Sequence, residues 1–247
     1  MKLTKIEPKF IKKCNPRVGL IALASDFRIE KDFNKIIYAK DIDLYCNRIH
    51  CYNPLSNEKL KKMANDIPKV ASDILPDQKL DCVAYGCTSG TIAAGYKSIF
   101  EKINLVKPNT KVTTPITSSI NALKTLKINR ISIFTPYTDE INQSVIDYFK
   151  NENIEISELF YLDIASDLDI GKVDPNYLFD VLSNLNLNKS DTLFVSCTAL
   201  PVLSIIKDLE KKIGKIVLSS NQTLIWDTLK QINFNDEIKG YGELFKN

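Results

Sequence analysis

The stretch DCVAYGCTSGTIAAGY, residues 81–96, is written a second time as DTLFVSCTALPVLSII, residues 191–206. Superposing Asp81 on Asp191 places Cys87 on Cys197 and Thr88 on Thr198. Each copy reads as an acidic residue, a short apolar strand, Cys-Thr, and a turn into a helix. A chain that repeats such a unit folds as two similar halves, and two equivalent thiols are the chemistry the halves share. The 247 residues accommodate two lobes, each of roughly 100 to 120 residues and large enough to bury a core of its own.

The repeat extends beyond the cysteines. RVGLIALASD, 17–26, is echoed by RISIFTPYTD, 130–139; a basic residue, an apolar run and small polar residues in that order predict a buried parallel strand. Third strands ending in hydroxyls begin at KVTTPITSS, from 111, and at KIVLSSNQT, from 215. Helices are predicted between them. Residues 56–75 open on Ser56 as N-cap and carry Leu60, Met63, Ala64, Ile67, Val70, Ala71 and Ile74 at helical spacing, with a kink at Pro68. Residues 141–153 and 175–185 are helices of the same kind.

Strands alternating with helices predict an α/β fold of two pseudo-symmetric lobes, each a parallel sheet flanked by helices. Residues 14–118 with 222–247 form the first lobe and 119–221 the second, joined by a crossover helix at 120–129. Ligands of such sheets sit outside the carboxyl ends of the strands. Every polar tip of the repeat falls there, so the active site is expected in the cleft between the lobes.

Composition removes other classes. The 33 basic and 30 acidic residues leave a net charge of +3, and the lysines are scattered, so neither a nucleic acid nor an anionic membrane is expected as partner. The longest uncharged runs, 82–96 and 192–206, fall short of the ~20 residues a membrane-spanning helix needs. The opening MKLTKIEPKFIKK has charges but no apolar run behind them, which reads as a cytoplasmic chain without an export signal. Its six cysteines are then free thiols. One histidine, His50, and no paired C-x-x-C spacing argue against zinc. Cys14, Cys46, Cys51 and Cys82 read as core filler, Trp226 as core, and His50 as structural or surface.

Cys87 and Cys197 read differently. At a strand end that opens a helix, a sulfur meets free backbone N–H groups and the positive end of the helix dipole, which lowers a thiol pKa from about 8.5. Two thiols facing each other across a cleft suit one task. One takes a proton from one face of a substrate carbon while the other delivers a proton to the opposite face, and no cofactor is needed. A carbon next to a carboxylate is weakly acidic, so the developing enolate-like charge needs donors. Available are the backbone N–H groups after both cysteines, Ala199 among them, and the hydroxyls of Ser25, Thr88, Ser89, Thr114 and Thr198. The expected partner is a small carboxylate-containing substrate, with a homo-oligomer left open.

Several stretches resemble the aspartate/glutamate racemase superfamily, in its maleate isomerase, arylmalonate decarboxylase and ectoine-utilisation branch. They are GCTSGT at 86–91, FTPYTDEIN at 134–142, SCTALPVL at 196–203, LSSNQTLIWD at 218–227 and GYGELF at 240–245. The resemblance implies two pseudo-symmetric α/β lobes with a cofactor-free site between them. Cys87 and Cys197 match its catalytic cysteines, and Tyr137, with Thr138 beside it, matches a substrate-approaching tyrosine. Arylmalonate decarboxylases resemble this chain but keep only the second cysteine, which makes decarboxylation the least expected activity. Maleate isomerases are similar with both thiols, but carry asparagine where this chain has Asp26, and again near Asp167. Two carboxylates repel a dianion and suit a substrate with an amino or other cationic group.

The leading expectation is therefore a cofactor-independent racemase or epimerase acting alpha to a carboxylate, on a small amino acid or ectoine-derived metabolite. Asp26 could equally cap the helix that follows it, or orient Cys87. The rivals are maleate cis-trans isomerisation, with Cys87 as nucleophile, and a non-catalytic two-lobe binding protein.

Overall fold

The computed structural model describes residues 1–11 and 14–247. Its described strands are β1 (Arg17–Leu23), β2 (Asp43–Ile49), β3 (Cys82–Gly86), β4 (Lys111–Thr113), β5 (Arg130–Thr135), β6 (Glu155–Tyr161), β7 (Thr192–Val195) and β8 (Ile216–Ser219). They form two all-parallel four-stranded sheets in the same order, β2-β1-β3-β4 and β6-β5-β7-β8, with helices packed against both. The two-lobe α/β architecture expected from the repeat is the one observed.

β1, β3, β5 and β7 are the uninterrupted apolar runs, and nearly all their residues are buried. A parallel strand covered on both faces requires that pattern. The edge strands β2 and β6 were not expected. DLYCNRI and EISELFY interleave Asn47, Arg48, Glu155 and Glu158 with apolar residues and are only partly covered. An edge strand tolerates this because one side stays in water.

The long helix predicted at 56–75 is broken into Asn57–Met63, a single 3-10 turn Ala64–Asp66, and Ile67–Ser72. Ser56 caps it as expected, its hydroxyl accepting from Lys59 N at 3.3 Å. Pro68 stands in the first turn of the last piece, where its missing N–H deprives no carbonyl of a partner. The helix Pro115–Leu126 joins the two sheets and packs along Ser220–Gln231, which leaves β8 of the second sheet and runs beside β3 and β4 of the first. Their contact is polar but paired. The Ser118 hydroxyl donates to Asp227 at 2.8 Å, and the Ser119 and Thr223 hydroxyls lie 2.9 Å apart.

Trp226 is buried in that helix, and Cys82 lies inside β3. Cys14 is exposed ahead of β1, so it fills no core. Among the described residues no helix is long and apolar enough to cross a membrane.

Candidate active site

β3 is followed directly by Cys87, the N-cap of the helix Thr88–Ala94, whose sulfur accepts a hydrogen bond from Gly90 N at 3.2 Å. The second copy departs from this. After β7, Cys197 has φ of +92°, and the next regular helix begins only at Ile206. Pro201 follows closely and disfavours helical backbone in the residue before it, so the turn expected to open a helix remains a turn. A non-glycine residue held in that conformation costs about 1–3 kcal/mol, so its surroundings must impose it.

Three hydrogen bonds do so and join the two Cys-Thr turns. The Ser220 hydroxyl accepts from Cys197 N at 3.0 Å and from the Thr88 hydroxyl at 2.9 Å, and the Thr198 hydroxyl donates to Gly86 O at 3.2 Å. The Thr88 and Thr198 hydroxyls, expected as donors to substrate, donate here to Ser220 and to Gly86 O. Ser89 lies beside Cys87, hydroxyl to sulfur 3.9 Å. Thr114 pairs its hydroxyl with Thr117 at 2.8 Å, and Thr138 is half-buried at the start of the helix Asp139–Asn151.

Two carboxylates close on the sulfurs. Asp26, only 1% exposed, uses Oδ1 to accept from Arg28 N at 2.7 Å and Ile29 N at 3.0 Å, while its Oδ2 is buried without a partner. One oxygen caps the helix that follows, as one of the two readings expected; the other has no hydrogen-bond partner, and the charge of Asp26 acts on Cys197 rather than Cys87. Asp167 is buried, accepts from the Ser25 hydroxyl at 2.5 Å and donates its N–H to Asn53 Oδ1 at 3.1 Å. Burial raises the Asp26 carboxyl above the usual range against its backbone donors, and burial moves Asp167 to about 6 against its Ser25 bond.

The thiols do not follow the expected direction. Burial pushes Cys87 up, the neighbouring Cys51 adds to this, and the Gly90 N–H only partly offsets it. Burial likewise raises Cys197, with Asp167 and Asp26 adding negative field and the Ala199 N–H opposing. At both cysteines desolvation outweighs the local N–H groups and favours the thiol over the thiolate. Tyr137, 1% exposed, lies against Cys197 and Cys87, and burial followed by Cys197 raises its phenol.

Sequence reasoning missed several members. Cys51, read as filler, sits on the loop after β2 beside Ser25, Asp167 and Cys87, and burial raises it to about 11. Tyr85 and Ser196, each within two residues of Cys87 or Cys197, are fully buried with unpartnered hydroxyls. Their nearness to Cys87 and Cys197 in the chain was the only available signal. Buried polar atoms without partners are rare, yet Asp26 Oδ2, Tyr85 Oη and Ser196 Oγ gather here.

Loops of the two halves meet in front of the thiols. Leu55 N donates to Ala165 O at 2.8 Å, and the Arg28 guanidinium donates twice to Gly171 O, at 2.9 and 2.6 Å. A surface concavity lined by Asp73, Gln78, Lys107 and Thr110 lies at the opposite, amino-terminal ends of the strands, away from these groups.

Similarity to known proteins follows the same lines. The chain is 25% identical to a maleate isomerase of Geobacillus stearothermophilus over 243 residues, covering 92% of this chain and 96% of that one. A maleate isomerase of Pseudomonas putida superposes with a TM-score of 0.86 at 23% identity, over 93% of this chain and 98% of that one. A cysteine-to-serine mutant of the Nocardia farcinica maleate cis-trans isomerase, carrying a covalently bound succinylcysteine intermediate, gives a TM-score of 0.85 at 19% identity over 93% and 98%. The family model for arylmalonate decarboxylase matches residues 55–245, and the chain belongs to that family.

Proposed function

We propose that this chain is a cofactor-independent, cysteine-dependent isomerase of a small carboxylate, and that it racemises or epimerises the carbon alpha to that carboxylate in a small amino acid or ectoine-derived metabolite. The observation that carries the reading is the buried pair Asp26 and Asp167 beside Cys197, with Asp26 Oδ2 unpartnered. An ammonium group would supply the missing donor and offset two negative charges. The Tyr85 and Ser196 hydroxyls, also unpartnered, offer donors to the carboxylate.

The ammonium also bears on the thiols. Neutralising the carboxylate field lowers the cost of forming a thiolate at Cys197, and Asp167 or Asp26, whose charges act on that thiol, would take its proton. The thiolate then removes the alpha proton, the C–H pair passes into an enolate-like carboxylate, and the Cys87 S–H delivers a proton to the opposite face. The reverse direction exchanges the roles.

Maleate cis-trans isomerisation is the second reading, favoured by the full-length similarity to maleate isomerases and by the succinylcysteine formed in one of them. There a thiolate adds to the double bond, rotation follows about the resulting single bond, and the thiolate is expelled. Turnover in deuterium oxide separates the two. Racemisation places deuterium at the alpha carbon of recovered amino acid. Absence of exchange in a panel of small amino and diamino acids, with maleate converted to fumarate, would reject the first reading for the second.

A further inference from the structure

The two sulfurs are served by backbone N–H groups of different origin. Gly90 N reaches Cys87 from inside a helix, whose own hydrogen bonds hold the amide in place. Cys197 has no helix behind it, and its turn is strained. The Ala199 N–H opposes the rise of this thiol, and something other than a helix must orient it.

Asn221, buried on the helix Ser220–Gln231, uses one amide nitrogen twice. Nδ2 donates to Thr198 O at 2.8 Å and to Asp32 Oδ2 at 2.8 Å. Its Oδ1 is buried without a partner. Two acceptors, a carbonyl and a carboxylate, fix which end of the amide faces them, since a flipped amide would set oxygen against oxygen at both contacts. Asp32 itself is buried on the helix Ile29–Ile37 of the first lobe. In a planar trans peptide the C=O and the following N–H point in opposite directions. Tying the Thr198 carbonyl toward Asn221 therefore turns the Ala199 N–H away from Asn221.

We propose that Asp32 and Asn221 are positioning residues for Cys197: the carboxylate fixes the amide, the amide fixes the Thr198 carbonyl, and the Thr198–Ala199 peptide plane aims the Ala199 N–H at the sulfur. The relay rests on the reading of Cys197 as one of the two reacting thiols. It also accounts for an orphan Asn221 oxygen, a cost accepted in exchange for an amide that donates both ways. Burial raises the Asp32 carboxyl to about 6 against its Asn221 bond, with the charges of Lys35, Asp26 and Arg28 and the Tyr241 phenol in its surroundings, so the anchor is ionised above neutrality.

The test is alkylation by iodoacetamide across pH 6 to 10, with the rates at Cys197 and Cys87 read separately by peptide mass mapping. The ratio of the two rates within the same molecules cancels cleft opening, which both thiols share. Asn221→Leu, similar in size and without donors, should lower the Cys197 rate at pH 8 about tenfold, one unit of thiol pKa, while Cys87 stays within twofold. Asp32→Ala is the second variant should Asn221→Leu fold poorly, and should lower the same ratio about threefold. Asp32→Asn retains an acceptor oxygen and should restore most of it. An unchanged ratio in both variants, or both thiols slowing together, overturns the relay alone. Full turnover in Cys197→Ser would overturn the catalytic reading and the relay with it.

Discussion

The Thr88 hydroxyl donates to the Ser220 hydroxyl at 2.9 Å, bringing together residues 132 positions apart in the chain. Ser220 also accepts from Cys197 N, so one buried oxygen serves the turns that carry both thiols. Ser220→Ala would orphan two buried donors at about 1–3 kcal/mol each and release the strained backbone at Cys197. The expected result is a loss of at least about 2 kcal/mol in urea denaturation, with turnover down tenfold or more. Thr88→Val deletes one donor and orphans none, and should cost less than half as much.

The thiols are individually required in the two-base reading. Cys87→Ser and Cys197→Ser should each slow racemisation by about 10²–10⁴, the usual value of a positioned acid or base. Cys82→Ser, inside β3 beside the Thr113 hydroxyl, should stay within about threefold. Full activity in either single-site serine variant of the pair would remove the mechanism.

How much of this was legible beforehand divides by physical cause. The central strands and both Cys-Thr tips follow from patterns within a few neighbouring residues, and the sequence carries them twice. The edge strands β2 and β6 are partly polar, so their strand character comes from pairing with β1 and β5 and leaves no apolar run to read. Cys51 and Asn53 reach the cleft because β2 ends there, so missing that strand meant missing them. The thiol pKa direction failed for another reason. A dipole at a helix start can be inferred from local sequence, whereas burial that outweighs it depends on what the opposite lobe places over the sulfur.

Asp167 gives a pH test with a defined sign. Its folded carboxyl lies at about 6, against about 3.9 unfolded, so the folded state binds more protons between those values and stability falls as pH rises through them. Asp167→Asn should therefore be more stable than the native protein at pH 8, by roughly 2–3 kcal/mol at most. The gain should vanish below about pH 4, as read from denaturation at the two pH values.

The same group separates the substrate classes. Affinity for an ammonium-bearing carboxylate should rise with pH through about 6 and level off once Asp167 is ionised. Affinity for a dianion such as maleate should fall over the same range, because binding would favour the protonated acids. The pH dependence of inhibition by a small diamino acid and by maleate measures both slopes in one preparation.

Gly90 leaves room for a sulfur. A Cβ placed there would lie 2.7 Å from Cys87 Sγ and 3.0 Å from the Tyr85 hydroxyl. Gly90→Ala gains up to about 1 kcal/mol of helix propensity but overpacks the site by about 1–3 kcal/mol. The expected outcome is a melting temperature within a few degrees of native and at least tenfold lower turnover, with Cys87 alkylation altered and Cys197 alkylation unchanged.

The contacts between the halves fall into two sets. Thr88 on Ser220 and Thr198 on Gly86 lie behind the sulfurs and are buried, whereas Arg28 on Gly171, Asn53 with Asp167 and Leu55 on Ala165 lie in front of them. Were the front set to break while the rear set stayed made, the halves would turn about an axis close to the rear bonds. Displacement in a rotation grows with distance from its axis. Such a turn would open the mouth to a metabolite while changing the gap between the two sulfurs least, so the spacing that decides where a proton leaves and where it returns would already be set when the molecule arrives.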